Sequence, residues 1–144
     1  MRERHISIAA LYDEEGKLLL QYRRGLSPYD EDWSFFGGGV EEGESAEEGL
    51  IREIEEEIGV TLEKPVHLGT LTSVRPRIKP PLEEVRLVVE VFAHPMPCAI
   101  PDICLMEGDG FVLFARDRVI DLHTPPFFNE VLTLLDRHLT DALK

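Results

Sequence analysis

Several things are scarce in this sequence, and each scarcity excludes something. No apolar run among the 144 residues approaches the ~20 that a helix needs to cross a bilayer. The N-terminal MRERHISIAALYDEEG begins charged, and its apolar stretch closes on Asp13-Glu14-Glu15, so it reads as a strand and turn rather than a secretion signal. Cys98 and Cys104 are the only cysteines. They form no CxxC pair and have no histidine at zinc-finger spacing, so two reduced thiols and a cytoplasmic location are expected. The five histidines are scattered, with no pair at a metal-ligand spacing. Cations are few as well: 15 Lys+Arg stand against 28 Asp+Glu, a net charge of −13. Such a chain repels nucleic-acid backbones and anionic lipid, so neither nucleic acid nor membrane is expected as a partner. It should repel a free nucleotide too, unless a cation stands between them. There is no repeat, low-complexity tract or linker, and one domain over residues 1–144 is expected.

The acid that is present is not evenly spread. Residues 41–57, EEGESAEEGLIREIEEE, hold nine Glu and one Arg, a local net of −8, which leaves −5 for the remaining 127 residues. Around this segment the chain is strand-rich. His5–Tyr12 and Lys17–Tyr22 read as a hairpin across the turn Asp13–Gly16, followed by a polar loop over Gly25–Asp32. Trp33–Phe36 reads as a short strand running into Gly37–Gly39. Val66–Val74 and Val85–Ala93 read as strands flanking a Pro-rich loop, and Phe111–Phe114 as the last. Thr124 can cap, and Pro125 can start, a final amphipathic helix carrying Phe128, Val131, Leu132, Leu135 and Leu139. The expected class is α/β, with a mixed sheet between helices.

Ser45–Ile58 carries the clearest helix signals. Ser45 and Glu48 form an S-x-x-E capping box, and Gly59 stands where a helix end favours a left-handed residue. On a helical projection Ala46, Leu50, Ile51, Ile54 and Ile58 form one apolar stripe. Glu48 and Glu55 face away from it. Glu57 falls inside the stripe, Glu53 at its margin and Glu56 one step further round. A solvated charged face accounts for Glu47, Glu48 and Glu55 but not for Glu57, whose carboxylate loses solvation when turned inward. Arg52 alone offsets these acids, and carboxylates at i, i+3 and i+4 oppose the helix by roughly 0.2–0.5 kcal/mol per pair. A hard divalent cation is the natural remedy, because magnesium takes a few carboxylate oxygens, keeps waters and completes its shell with phosphate. Gly49, one turn before Glu53, would leave the approach open.

With its glycines the segment reads GGVEEGESAEEGLIREIEEEIGV. It resembles the Nudix box, G-x5-E-x7-R-E-U-x-E-E-x-G-U with U bulky and apolar, at every defined position: Gly38, Glu44, Arg52, Glu53, Ile54, Glu56, Glu57, Gly59 and Val60. The resemblance implies a Nudix-type α/β/α sandwich in which the box forms loop, helix and loop. It implies magnesium-dependent hydrolysis, with manganese as a substitute, of a nucleoside diphosphate linked to another moiety. Glu53, Glu56 and Glu57 match the family's metal-binding acids, and Gly37 the glycine whose carbonyl joins them. Arg52 matches the arginine that orients the carboxylates, at i, i+4 to Glu56. Water attacks one phosphorus and a carboxylate accepts its proton. That base is a box glutamate in some members and a distant acid in others, which Glu107 of MEGDG resembles, with Asp109 beside it. The ordinary alternative for that loop is a Gly-Asp-Gly turn.

Outside the box, Arg23 and Arg24 end the second strand where several relatives contact substrate phosphate. WSFFGGG resembles the family's W-x-F-P-G-G, with Phe36 in place of proline. TPPFFNEV, Thr124–Val131, with MEGDG upstream, resembles the branch that cleanses oxidised purine nucleoside triphosphates, and Asn129 stands where an asparagine reads the purine edge. The expected reaction is therefore a nucleoside triphosphate, oxidised or not, to monophosphate and pyrophosphate. The alternatives are a nucleotide-sugar or ADP-ribose pyrophosphatase, for which Pro76 lies sixteen residues after Val60, and a Nudix-fold module that binds a nucleotide without cleaving it. A calcium-binding or purely structural acidic helix is a third reading. The basic residues of Arg75–Lys79 could guide any polyphosphate. Whether the chain forms a homodimer stays open.

Overall fold

The computed structural model describes residues 1–99 and 110–142. Seven strands form one sheet: β1 (Arg2–Tyr12), β2 (Leu18–Tyr22), β3 (Trp33–Ser34), β4 (Phe36–Gly39), β5 (Val66–Pro76), β6 (Glu84–Pro95) and β7 (Gly110–Phe114). The helices are α1 (Ala46–Ile58) and α2 (Phe128–Ala142), with a short 3-10 turn at Val119–Asp121. The strand order is β3-β2-β1-β6-β5, with β4 also paired to β1 and β7 to β2.

β1 runs parallel to β6 over its whole length, from Arg2 opposite Val85 to Tyr12 opposite Pro95. Its other edge is shared. β4 pairs antiparallel with Ile6–Ala9, and β2 meets it at Tyr12–Leu18. The expected hairpin is thus joined only at its turn, because the glycine strand occupies the edge that β2 would otherwise extend along.

Both faces of β1 are covered, and its side chains alternate between two cores. Ile8 and Ala10 pack with Leu18, Leu20, Val85, Leu87, Val89 and Val91 against Val131 and Leu135 of α2. Ala9 and Leu11 pack with Leu19, Phe36 and Phe92 against Leu50, Ile54 and Ile58 of α1. One helix on each face makes this an α/β/α sandwich, as expected. Among the described residues no helix is long and apolar enough to cross a membrane.

The ends of the elements show where tertiary pairing overrides local pattern. Gly37–Gly39, expected to follow a strand over Trp33–Phe36, are themselves part of strand β4. At Gly37, where φ is +146°, a Cβ would lie 2.1 Å from the Ser7 carbonyl oxygen, so only glycine pairs this closely. Phe36 is fully buried against α1, and a proline there would donate nothing to the ladder with Ala9. The last helix starts at Phe128 rather than Pro125, since Pro126 disfavours the helical conformation for the residue before it. α1 begins and ends as its caps predict. The Ser45 hydroxyl accepts from the Glu48 N–H, the Glu48 side chain accepts from the Ser45 N–H, and Gly59 sits at φ +70°.

Candidate active site

α1 presents its acids across the sheet edge to the glycine strand. Glu57 is 3% exposed, and the neighbouring backbone and β2 anchor it. The Gly37 N–H donates to its Oε1 at 3.0 Å, and Gln21 Nε2 donates to its Oε2 at 3.4 Å. Gln21 also donates to the Phe35 carbonyl at 3.1 Å, which fixes the amide between strand and helix. One turn earlier, the Glu53 carboxylate fills the space above Gly38. A Cβ on Gly38 would stand 2.5 Å from the Glu53 carboxyl carbon. Glu56, half-exposed, lies on the outer side.

Arg52 organises these acids. It donates to Glu53 Oε1 at 3.1 Å, to Glu56 Oε2 at 3.3 Å and to the Gly39 carbonyl at 2.9 Å. Glu44 takes both remaining sides of the guanidinium, at 2.8 Å and 3.2 Å. The hydrogen bond from Arg52, then that from the Glu41 N–H, holds the Glu44 carboxyl below the ordinary carboxylate range. The same contact with Glu44 raises the Arg52 pKa above its usual value, so the guanidinium stays charged. Gly49 makes room for this arrangement. It is buried, and a Cβ there would stand 2.9 Å from Glu44 Oε1. Its smallness therefore admits Glu44 rather than opening a path to the acids.

Glu53, Glu56 and Glu57 are hard oxygen donors on adjacent turns of one helix, beside a glycine strand whose lack of side chains lets the Glu53 carboxylate lie against its backbone. That donor chemistry fits magnesium or manganese and not a thiophilic ion. The three carboxylates are not gathered around one point; among the described residues no group of three His, Cys, Asp or Glu side chains converges as a metal centre. Arg52 instead draws Glu53 and Glu56 toward itself.

A cleft opens on the other face of the sheet and meets the acids at Gly37 and Gly38, which line it. Its apolar wall includes Ile6, Ile8, Phe35 and Phe127, and Phe35 stacks on Phe128 with ring centroids 4.7 Å apart. Gln21 belongs to both places, lining the cleft while it holds Glu57. Of the residues proposed from sequence for substrate, Arg23 lines the cleft. Arg24 is exposed in the turn before Gly25, at φ +38°. Asn129 is exposed in the first turn of α2 and is not in the cleft wall. Glu107, Asp109 and Cys104 lie outside the described residues.

Sequence reasoning missed several residues here. Gln21, an amide in the apolar run LLLQY, was the one with a legible signal. Arg75 was read as a guide for polyphosphate, but it is buried. Its guanidinium pairs with Glu31, their side chains only 6% and 9% exposed, and lies 5.0 Å from the Tyr29 ring centroid. Arg77 is likewise occupied, donating to the Lys79 and Pro80 carbonyls. Tyr29 is 7% exposed in the cleft wall, and its hydroxyl has no hydrogen-bond partner among the described residues.

The NUDIX domain family matches residues 1–98, more than half of the chain. The chain belongs to the Nudix family. The curated relatives it resembles include a CTP pyrophosphohydrolase of Escherichia coli strain K12, 42% identical over 53 residues, which are 37% of this chain and 39% of that protein. Another is an RNA pyrophosphohydrolase of Shewanella pealeana, 54% identical over 43 residues, 30% of this chain and 23% of that protein. The chain thus spans well under half the length of these relatives. Among solved structures, a MutT protein from Methanosarcina mazei Go1 superposes with a TM-score of 0.74 at 24% identity, covering 95% of both chains. That likeness carries the Nudix fold over almost the whole length of the chain.

Proposed function

We propose that this Nudix protein is a pyrophosphohydrolase dependent on a divalent cation, with residues 1–144 acting as one domain. It cleaves a nucleoside diphosphate linked to another moiety, and a nucleoside triphosphate, split to monophosphate and pyrophosphate, is the reading the site supports best. The observation that carries it is Glu57. An acid that is 3% exposed, gripped by the Gly37 N–H and the Gln21 amide, costs the fold desolvation and is explained by a cation it serves. Similarity to a CTP and an RNA pyrophosphohydrolase supports the reaction class.

Glu53, Glu56, Glu57 and the Gly37 carbonyl would hold magnesium, with manganese as a substitute. When bound, the ion supplies charge neutralisation for phosphate oxygens and acidification of the attacking water. The chain's own residues do the rest. Arg52 sets the rotamers of Glu53 and Glu56 through its hydrogen bonds. Gln21 and Gly37 fix Glu57 so that both its oxygens have defined directions. Arg23 meets substrate phosphate from the cleft. A box glutamate or Glu107 takes the proton of the attacking water. The apolar walls of the cleft, with Phe35 and Phe127, suit the faces of a nucleobase.

The test is a screen of nucleoside triphosphates, oxidised purine nucleotides, nucleotide sugars and ADP-ribose with magnesium, repeated with Glu57→Gln. Metal-dependent release of pyrophosphate from a triphosphate is expected, with turnover roughly 100-fold or more lower in the variant. Absence of metal-dependent turnover on every compound, or full turnover by the variant, would defeat the reading. Tight nucleotide binding with the ligand recovered intact would make the chain a binding module instead.

A further inference from the structure

The glycine strand β4 is one strand thick, and its two faces carry opposite charge. At Gly38 the side-chain space belongs to the Glu53 carboxylate, 2.5 Å from where a Cβ would be. At the next residue, Gly39, the corresponding space lies against the Arg4 guanidinium, whose Nη2 would be 3.3 Å from a Cβ. Arg4 shares its β1 face with Ile6 and Ile8, and all three line the cleft together with Arg23.

Neither Arg4 nor Arg23 has an ion pair among the described residues. Arg77, Arg86, Arg118 and Arg137 have none there either, but they do not line the cleft. Arg2, Arg52, Arg75 and Arg116 each have a carboxylate partner. Glu31, the acid in the cleft wall, is already engaged by Arg75 and by the Ser27 hydroxyl. Two guanidiniums in a largely apolar recess, neither ion-paired among the described residues, call for an anionic ligand, and a guanidinium's planar donor fork suits phosphate oxygens. A polyphosphate with one group at the α1 acids meets the cleft at Gly37 and Gly38, which line it. The cations it meets next are Arg4 and Arg23.

We infer that Arg4 is a substrate-binding residue, which holds a phosphate group other than the one attacked and so fixes the polyphosphate across the glycine strand. This rests on the nucleotide-hydrolase reading for the identity of the ligand. The role is uniform binding: Arg4 holds the same group before and during reaction, so its loss raises KM and leaves kcat nearly unchanged.

The experiment compares the full-length chain with Arg4→Ala, Arg4→Gln and Arg4→Lys. Binding is measured by calorimetry with magnesium, using a non-hydrolysable methylene triphosphate analogue of the best substrate and the matching nucleoside. Loss of a charge-assisted hydrogen bond predicts about 10- to 100-fold weaker analogue binding in the Ala and Gln variants. Partial recovery is expected in Arg4→Lys, with nucleoside binding unchanged throughout and KM rising in parallel with Kd. Equal weakening for nucleoside and analogue would overturn the inference by making Arg4 a base or packing contact. Unchanged analogue binding would make it a solvated surface charge, and failure of the parent chain to bind the analogue at all would also overturn it. A chain that binds the analogue through Arg4 but turns over no triphosphate would sink the hydrolase reading and leave Arg4's role standing.

Discussion

The two faces of β4 are built in different ways. On the α1 side most parts are local: Ser45, Glu48, Arg52, Glu53, Glu56 and Glu57 come from one capped helix, Gly37 and Gly38 reach it across a short loop, and Gln21 of β2 is the long-range anchor. On the cleft side the parts come from four separate stretches of the chain. Arg4, Gln21, Tyr29 and Phe127 converge from distant points of the chain, and the mount behind Tyr29 joins Glu31 to Arg75. The acid face therefore concentrates chemistry on an element that largely holds itself together. The cleft face depends on long-range pairs, so mutation there should strike stability and ligand affinity before turnover.

Breaking the buried pair is the largest test of that contrast. Arg75→Met leaves Glu31 uncompensated at 9% exposure and should destabilise the fold by about 3–5 kcal/mol in urea unfolding. A loss under about 1 kcal/mol would show that the cleft does not rest on it. Gly38→Ala is the counterpart on the acid face. Its methyl meets the far end of the flexible Glu53 side chain rather than backbone, so the carboxylate moves and the fold persists. Turnover should fall about 10- to 100-fold with thermal unfolding little changed, since small misplacement of a catalytic group is that costly. Unfolding of this variant would erase the distinction between the faces.

Tyr29→Phe removes a hydroxyl that is buried without a hydrogen-bond partner among the described residues. Stability should hold or rise by up to about 1 kcal/mol, and a clear loss in denaturant titration would mean that the hydroxyl is satisfied in solution. The smallest effect concerns Glu44. Because Arg52 holds its carboxyl below the ordinary range in the folded chain, the stability it contributes is present at neutral pH. That contribution fades as acid protonates the folded carboxyl. Glu44→Gln should accordingly flatten the acid limb of a pH–stability profile; an unaltered limb would show the contact to be too exposed to matter.

Much of the acid face was legible because helix signals repeat at three and four residues. The capping box, Gly59 and the intrusion of Glu57 into the apolar stripe all appear in the structure where the periodicity put them. The three glycines carry no strand signal of their own; what makes them a strand is the close approach of Ser7, thirty residues earlier in the chain. Asn129 is exposed in the first turn of α2 and outside the cleft wall, which Phe127 just before the helix joins.

By itself the sequence determined the α/β class, the capped acidic helix and membership of the Nudix family, because each rests on residues near one another along the chain. Only the tertiary structure decided which cations are available to a ligand. Arg75, which looked free, is buried against Glu31, while Arg4, which nothing singled out, stands in the cleft beside Gly39. The reason is physical: whether a charge is paired depends on what the fold brings within a few ångströms of it, and the partners here lie 35 to 44 residues away.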